Sequence, residues 1–192
     1  MLDPEVQAAF RRRSLADALA GLCVEKGYRA TTIADVASRA RSSRATIYDH
    51  FENSEQIFLA ILDRAIPELL SRTEAACQAA APEQAVEAGL SAVLDWIAEE
   101  PAAAWACFVE SLCATPESLR RYLEAITEFT ALLRGNVPTE VPRPETTEES
   151  LIGGVAAILR HRIQNGEAER VPELLPALSG FLRAPFLATG SL

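Results

Sequence analysis

Histidine is scarce in this chain: only His50 and His161 stand among 192 residues, far apart in sequence. No histidine is paired with a carboxylate at helical spacing and no glycine-rich loop is built to cradle a phosphate, which argues against an enzyme. The four cysteines, Cys23, Cys77, Cys107 and Cys113, show no CxxC and no metal-ligand spacing. Neither a metal site nor a cofactor is expected, and apolar neighbours make all four read as buried, reduced thiols. No segment reaches the ~18 uncharged apolar residues of a membrane span, and the N-terminus has no apolar signal region. A cytoplasmic protein, off the membrane, is expected. Strand alternation and internal repeats are missing too.

What is present is helical. About half of the residues are apolar, which is enough for one good core or two small ones. The net charge of -9 is unevenly spread. Up to Ala65 nine basic residues face nine acidic ones; from Ile66 onward nine arginines face eighteen acidic residues. A neutral N-terminal head with local arginine clusters on an acidic body suits a DNA-reading part joined to one that does not touch DNA.

Within the head, residues Met1 to Phe10 read as a tail or first turn. Arg11, Arg12 and Arg13 then open a helix carrying Leu15, Ala18, Leu19, Leu22 and Cys23, which Gly27 ends. The arginines either touch phosphates or form a solvated face. From Thr31 to Phe51 the sequence TTIADVASRARSSRATIYDHF holds two short helices. Ile33, Val36, Ala37 and Ala40 mark one face of the first. Arg41, Ser42 and Ser43 interrupt it, and a second begins at Ser43 or Arg44 with Ile47 and Phe51 turned inward. Two short helices joined by about three residues form a helix-turn-helix. Arg44, Thr46, Tyr48 and His50 are left pointing outward, a mixture suited to phosphates and base edges.

With its flanks, this stretch resembles the N-terminal domain of the TetR-like transcriptional regulators. The matching residues are Gly27-Tyr28, Thr31-Thr32-Ile33, Val36-Ala37, Ala40, Ser43, Thr46-Ile47-Tyr48, His50-Phe51 and Ser54. Three positions depart from the pattern: Arg41 replaces a usual turn glycine, Ser42 a usual buried valine, and Glu55 a frequent phosphate-touching lysine. The first two should loosen the turn, and the third should lower affinity for the DNA backbone. The resemblance implies an all-α homodimer of about nine helices, with a three-helix head over residues 1–52 and a helical ligand-binding and dimerisation bundle over 53–192. It implies a transcriptional repressor released from a palindromic double-stranded operator by a small apolar effector. An activator, or a body that senses a protein partner, are the alternatives.

The DNA contacts so implied are Thr31, Thr32, Ser43, Arg44, Ala45, Thr46, Tyr48 and His50. Thr31 or Thr32, Thr46, Tyr48 and His50 would meet phosphates, Arg44 a guanine edge and Ala45 a thymine methyl. In the body, prolines cut the chain into amphipathic helices starting at Pro82, Pro101 and Pro116, and Pro67 should kink or break the long helix that follows Ser54 near Ile66, with helix resuming to about Ala80. VPTEVPRP, from Val137 to Pro144, reads as a loop, with helices following from Thr147 to Asn165 and from Pro176 to Leu187. Trp96, Trp105, Phe108, Leu112, Tyr122 and Phe129 either line an effector pocket, with Glu110 and Thr127 as polar contacts, or are plain core. Ile152, Val155, Leu159, Ile163, Leu178, Phe181, Leu182 and Phe186 cover more than one face of the last two helices, so they are read as the dimer interface. His161 reads as an interface or solvent histidine.

Overall fold

The first helix begins where its cap is, not where its apolar stripe is. In the computed structural model, which describes residues 3–138 and 140–187, α1 spans Pro4–Lys26. The Asp3 carboxylate accepts from the Glu5 amide at 2.9 Å, and Pro4 takes a first-turn position where its missing donor costs nothing. The expected tail up to Phe10 is thus corrected to helix from Pro4 onward. Val6 and Phe10 stay exposed, so these turns carry no burial pattern. A 3₁₀ turn at Tyr28–Ala30 leads to α2 (Ile33–Arg39), α3 (Arg44–Tyr48) and α4 (Ser54–Ala79). A 3₁₀ turn at Pro82–Gln84 precedes α5 (Ala85–Glu99), and one at Glu110–Leu112 separates α6 (Pro101–Phe108) from α7 (Pro116–Gly135). Then come α8 (Thr147–Gln164), a 3₁₀ run at Ala168–Leu174, α9 (Leu175–Arg183) and a last 3₁₀ turn at Ala184–Phe186. Among the described residues there are nine α-helices and no strand, as the all-α expectation requires.

The chain divides into two compact units: Met1–Ile66 with Ala102–Tyr122, and Pro67–Pro101 with Leu123–Leu192. In the first, Leu15, Leu19, Cys23, Val36, Ile47, Ile57, Phe58 and Ile61 have no exposed surface. Each large aliphatic or aromatic side chain so buried contributes about 1.5–3 kcal/mol. α1 packs on α2, and α2 on α3. Glu110, 8 % exposed, ties this unit together: one carboxylate oxygen accepts from the Tyr28 amide at 3.2 Å and from the Trp105 indole at 3.4 Å. Arg29 donates to the Cys113 carbonyl, and Arg121 pairs with Asp63. Burial, with Glu110 nearby, pushes the Cys23 thiol up to about 12, and burial does the same for Cys107. Both stay protonated at neutral pH. Cys113 corrects the expectation of four buried thiols, because it is exposed after the 3₁₀ turn.

In the second unit α5 lies against the Ala168–Leu174 run and α9. Leu94, Trp96, Ile97, Leu159, Val171 and Leu182 form its centre. Of the kink or break expected at Pro67, the break does not occur: α4 is helical from Ser54 to Ala79. Pro67 is exposed, and the buried Ala65 and Leu69 on either side hold the helix in place against the loss of one backbone bond. Two starts are also corrected, since Pro82 opens a 3₁₀ turn with α5 beginning at Ala85, and α9 begins at Leu175 and ends at Arg183. The Val137–Pro144 loop, of which Thr139 lies outside the described residues, is pinned by Arg143. That guanidinium donates to the Pro138 and Val141 carbonyls, pairs with buried Glu148 at 2.7 Å and stacks on Phe186.

Candidate nucleic-acid interface

Each short helix of the helix-turn-helix is set by its own cap, since helices of seven and five residues are too short to persist alone. At α2 the Thr32 hydroxyl accepts from the Asp35 amide at 3.2 Å, and the Asp35 carboxylate accepts from the Thr32 amide at 2.8 Å, a complete capping box. Lys26 pairs with the same carboxylate at 2.7 Å. The Lys26 ammonium and the Thr32 hydroxyl and amide hold Asp35 well below the usual carboxylate range. Thr31 is engaged as well, its hydroxyl donating to the Gly27 carbonyl at 2.8 Å. Arg39 lies across α1 to Glu25 at 2.6 Å, and Gly21 leaves it room: a β-carbon there would meet Arg39 Nη1 at 2.8 Å.

The turn after α2 is a Schellman motif, in which the Arg41 amide donates to the Ser38 carbonyl at 3.2 Å and the Ser42 amide to the Ala37 carbonyl at 2.9 Å. Arg41 takes the left-handed position, φ 49°, that the motif reserves for glycine; α8 closes in the same way with Gly166 at φ 75°. A residue with a β-carbon gives up about 1 kcal/mol there relative to glycine. Beside it the Ser42 hydroxyl is buried with no hydrogen-bond partner. Replacing Ser42 with valine removes that orphan and supplies the apolar contact to Ala37 that the motif normally has. We expect stabilisation by about 1 kcal/mol, a rise in melting temperature of roughly 2–4 °C for a chain of this size. A thermal melt showing no rise would contradict it.

α3 begins at its cap Ser43, whose hydroxyl accepts from the Thr46 amide at 3.0 Å and lies 2.9 Å from the Thr46 hydroxyl. Ile47 is fully buried and holds the helix to the core. Arg44 and Ala45 are exposed, Tyr48 is 58 % exposed, and neither Arg44 nor Tyr48 has a side-chain partner among the described residues. Arg12 fixes the far end: its guanidinium stacks on the Phe51 ring at 4.1 Å and donates to the His50 carbonyl. The structure thus gathers Ser43, Arg44, Ala45, Thr46 and Tyr48 on one helix, with His50 half-buried just beyond it and Thr31 and Thr32 at the entry to α2. The sequence pattern misses the part played by Arg12, because no local signal links two segments so far apart along the chain.

The other expected sites are distributed differently. Of the aromatic and aliphatic residues considered for a pocket, Trp105, Phe108, Leu112 and Tyr122 belong to the first unit, Trp96 and Phe129 to the second. Trp96 is 1 % exposed, with its indole N–H unpartnered; the rest are half-buried. Thr127 donates to the Leu123 carbonyl of its own helix. The second unit has an open cleft of about 760 Å³ lined by Cys77, Val86, Asn136, Val137, Arg183 and Phe186 among others, and by none of those aromatics. Among the expected dimer contacts, Val155, Leu159, Ile163, Leu178, Leu182 and Phe186 are buried within one chain, which leaves them little surface to offer a partner. Phe181, 44 % exposed, and half-buried Ile152 keep theirs, and Ile158 joins them at 39 %. His161 is exposed, 3.2 Å from Asn165.

Comparison with known proteins bears on the same helices. Residues 15–61 match the model of the bacterial regulatory proteins of the tetR family. The transcriptional repressor ComR of Escherichia coli is 30 % identical over 108 residues, 55 % of this chain and 51 % of ComR. The activator FasR of Mycolicibacterium smegmatis is 31 % identical over 88 residues, 45 % of this chain and 40 % of FasR. The chain spans about half the length of these curated relatives or less. PfmR, a TetR family regulator from Thermus thermophilus, has the same fold with a TM-score of 0.71 at 25 % identity, covering 88 % of this chain and 94 % of PfmR. FadR of Bacillus subtilis, solved with stearoyl-CoA, superposes with a TM-score of 0.75 at 17 % identity over 91 % of this chain and 97 % of FadR, a likeness of fold alone. The capped helix-turn-helix thus lies inside the segment that matches the tetR family model, and the all-helical fold is shared with a TetR family regulator along nearly nine-tenths of the chain.

Proposed function

We propose that this protein is a homodimeric, sequence-specific DNA-binding regulator of transcription: a cytoplasmic repressor, without enzymatic activity, that leaves a palindromic operator when a small apolar effector binds. The observation that carries this is α3, a capped helix that presents Arg44 and Tyr48 to solvent with no side-chain partner among the described residues. Exposed, uncommitted polar side chains on a rigid recognition element suit DNA, because the helix is already ordered before binding. Residues 1–52 read the DNA and 53–192 sense and dimerise. Two copies of α3 enter successive major grooves about 34–36 Å apart. Tyr48, Thr46, His50 and the start of α2 meet phosphates; Arg44 reads a base and Ala45 packs on a thymine methyl. Thr31 and Thr32 act chiefly by fixing the α2 terminus, since their hydroxyls are already in use.

The test is selection of genomic fragments by the purified full-length chain, then fluorescence anisotropy on the selected duplex. A monomer, or equal affinity for every duplex at low salt, would overturn the proposal. Tyr48→Phe removes one phosphate donor per chain, so it should weaken operator and unrelated duplex alike by several-fold. Loss confined to the operator would remove Tyr48 from the backbone. The matched relatives are named a repressor and an activator, and the same contacts serve either role. For the effector, support comes from the fold shared with a FadR solved with stearoyl-CoA and from the unpartnered indole of buried Trp96. A thermal-shift screen of apolar compounds should find one that raises the melting temperature and releases the operator. A body that senses a protein partner would give no such compound.

A further inference from the structure

Most cations of the head are occupied within the chain. Arg12 caps the end of α3 on Phe51, Arg13 and Arg64 reach Asp17, Lys26 pairs with Asp35, Arg29 bonds the Cys113 carbonyl and Arg39 pairs with Glu25. Arg11, on α1, lies outside the helix-turn-helix. Within the motif two guanidinium groups remain with no partner among the described residues, Arg44 and Arg41, and both are exposed. They stand on either side of Ser43, the cap of α3.

Arg41 is the unexpected one. It occupies the left-handed position of the Schellman turn, which favours glycine, and its guanidinium makes no hydrogen bond or ion pair among the described residues that would offset the strain. A residue that weakens the fold locally and gives nothing back within it is a candidate for a role outside it. On the reading that the head binds duplex DNA, we infer that Arg41 is a phosphate contact: from the turn it reaches the sugar–phosphate rim of the groove that α3 enters, while Arg44, one residue inside the helix, faces the bases. A guanidinium at the rim positions the head without reading sequence. It also concentrates positive charge where the acidic chain has little to spare.

The prediction separates folding from binding, because the two move in opposite directions. Arg41→Gly relaxes the turn, so the melting temperature should hold or rise. Operator affinity should nevertheless fall about tenfold or more near physiological salt. The slope of log affinity against log salt should become shallower by about one for each bound protomer, hence about two for a dimer. Arg41→Gln should lose affinity and slope in the same way, whereas Arg41→Lys should keep the slope, since counterion release depends on charge. A purely structural arginine would give a glycine variant that binds as well as the wild type with an unchanged slope, and that result overturns the inference while leaving the proposed function intact. If the wild-type chain binds no duplex at all, the proposed function fails first and this contact fails with it.

Discussion

Arg44→Ala should weaken operator binding by about 1–3 kcal/mol per half-site, hence from roughly 30-fold to roughly 2 × 10⁴-fold for a dimer with two equivalent contacts, while binding to unrelated duplex changes little. The size follows from what is lost. An arginine offers paired donors to the two acceptors of a guanine edge, and a base so contacted is left without that bond when the side chain is cut back. No partner among the described residues holds Arg44, so truncation should cost the folded chain little, and the melting temperature should stay within a degree or so of wild type. Selection with the variant should show one base position per half-site relaxed, the others unchanged. Equal losses on operator and random duplex would mean that Arg44 meets a phosphate instead. No loss on either would remove it from the interface.

The second large effect concerns the body. Gly89 is buried in α5, and a β-carbon built on it would stand 2.5 Å from the Cys77 sulfur and 3.3 Å from Thr73 Cγ2. Neither neighbour can yield freely: both are buried, and the Thr73 hydroxyl is bonded to the Leu69 carbonyl at 2.7 Å. Valine at this position should cost about 3 kcal/mol, the upper part of the range for overpacking a full core, a drop of roughly 6–12 °C in melting temperature. Alanine should cost less, because removing glycine from a helix interior returns up to about 1 kcal/mol. Cys77→Ala clears the space, so the Gly89→Ala and Cys77→Ala double variant should recover much of the loss, a coupling of about 1–2 kcal/mol. Additive single effects, or an undiminished melting temperature in Gly89→Val, would show that α4 and α5 are not so tightly apposed.

Much of the head is legible in the order of its residues. Ile33, Val36, Ala37 and Ala40 repeat at helical spacing, Thr32 and Ser43 are good caps, and Ile47 and Phe51 mark the inner face of α3; all of these are local signals, and local geometry decides them. The departures at Arg41 and Ser42 are visible in the sequence as well. Their consequences are not, because a positive φ and an orphaned hydroxyl appear only once the turn is closed. In the body the apolar pattern says less. Amphipathic periodicity tells which side chains avoid water, but not whether a neighbouring helix of the same chain, a second chain or a ligand covers them. Val155, Leu159 and Leu182 fill their own unit's core, while Phe181 and Ile158 stay accessible.

By itself, then, the order of residues determined that this chain is helical, where most helices lie, and that a capped helix-turn-helix near its N-terminus carries Arg44 and Tyr48 outward, since caps, spacing and turn residues act over three or four positions. Tertiary structure alone decided that Pro67 leaves α4 whole, that Arg12 pins the end of α3 from 38 residues away, that Glu110 joins Tyr28 to Trp105, and which cations of the head remain uncommitted. These depend on burial and on contacts between distant segments, which exist only after the chain has closed on itself.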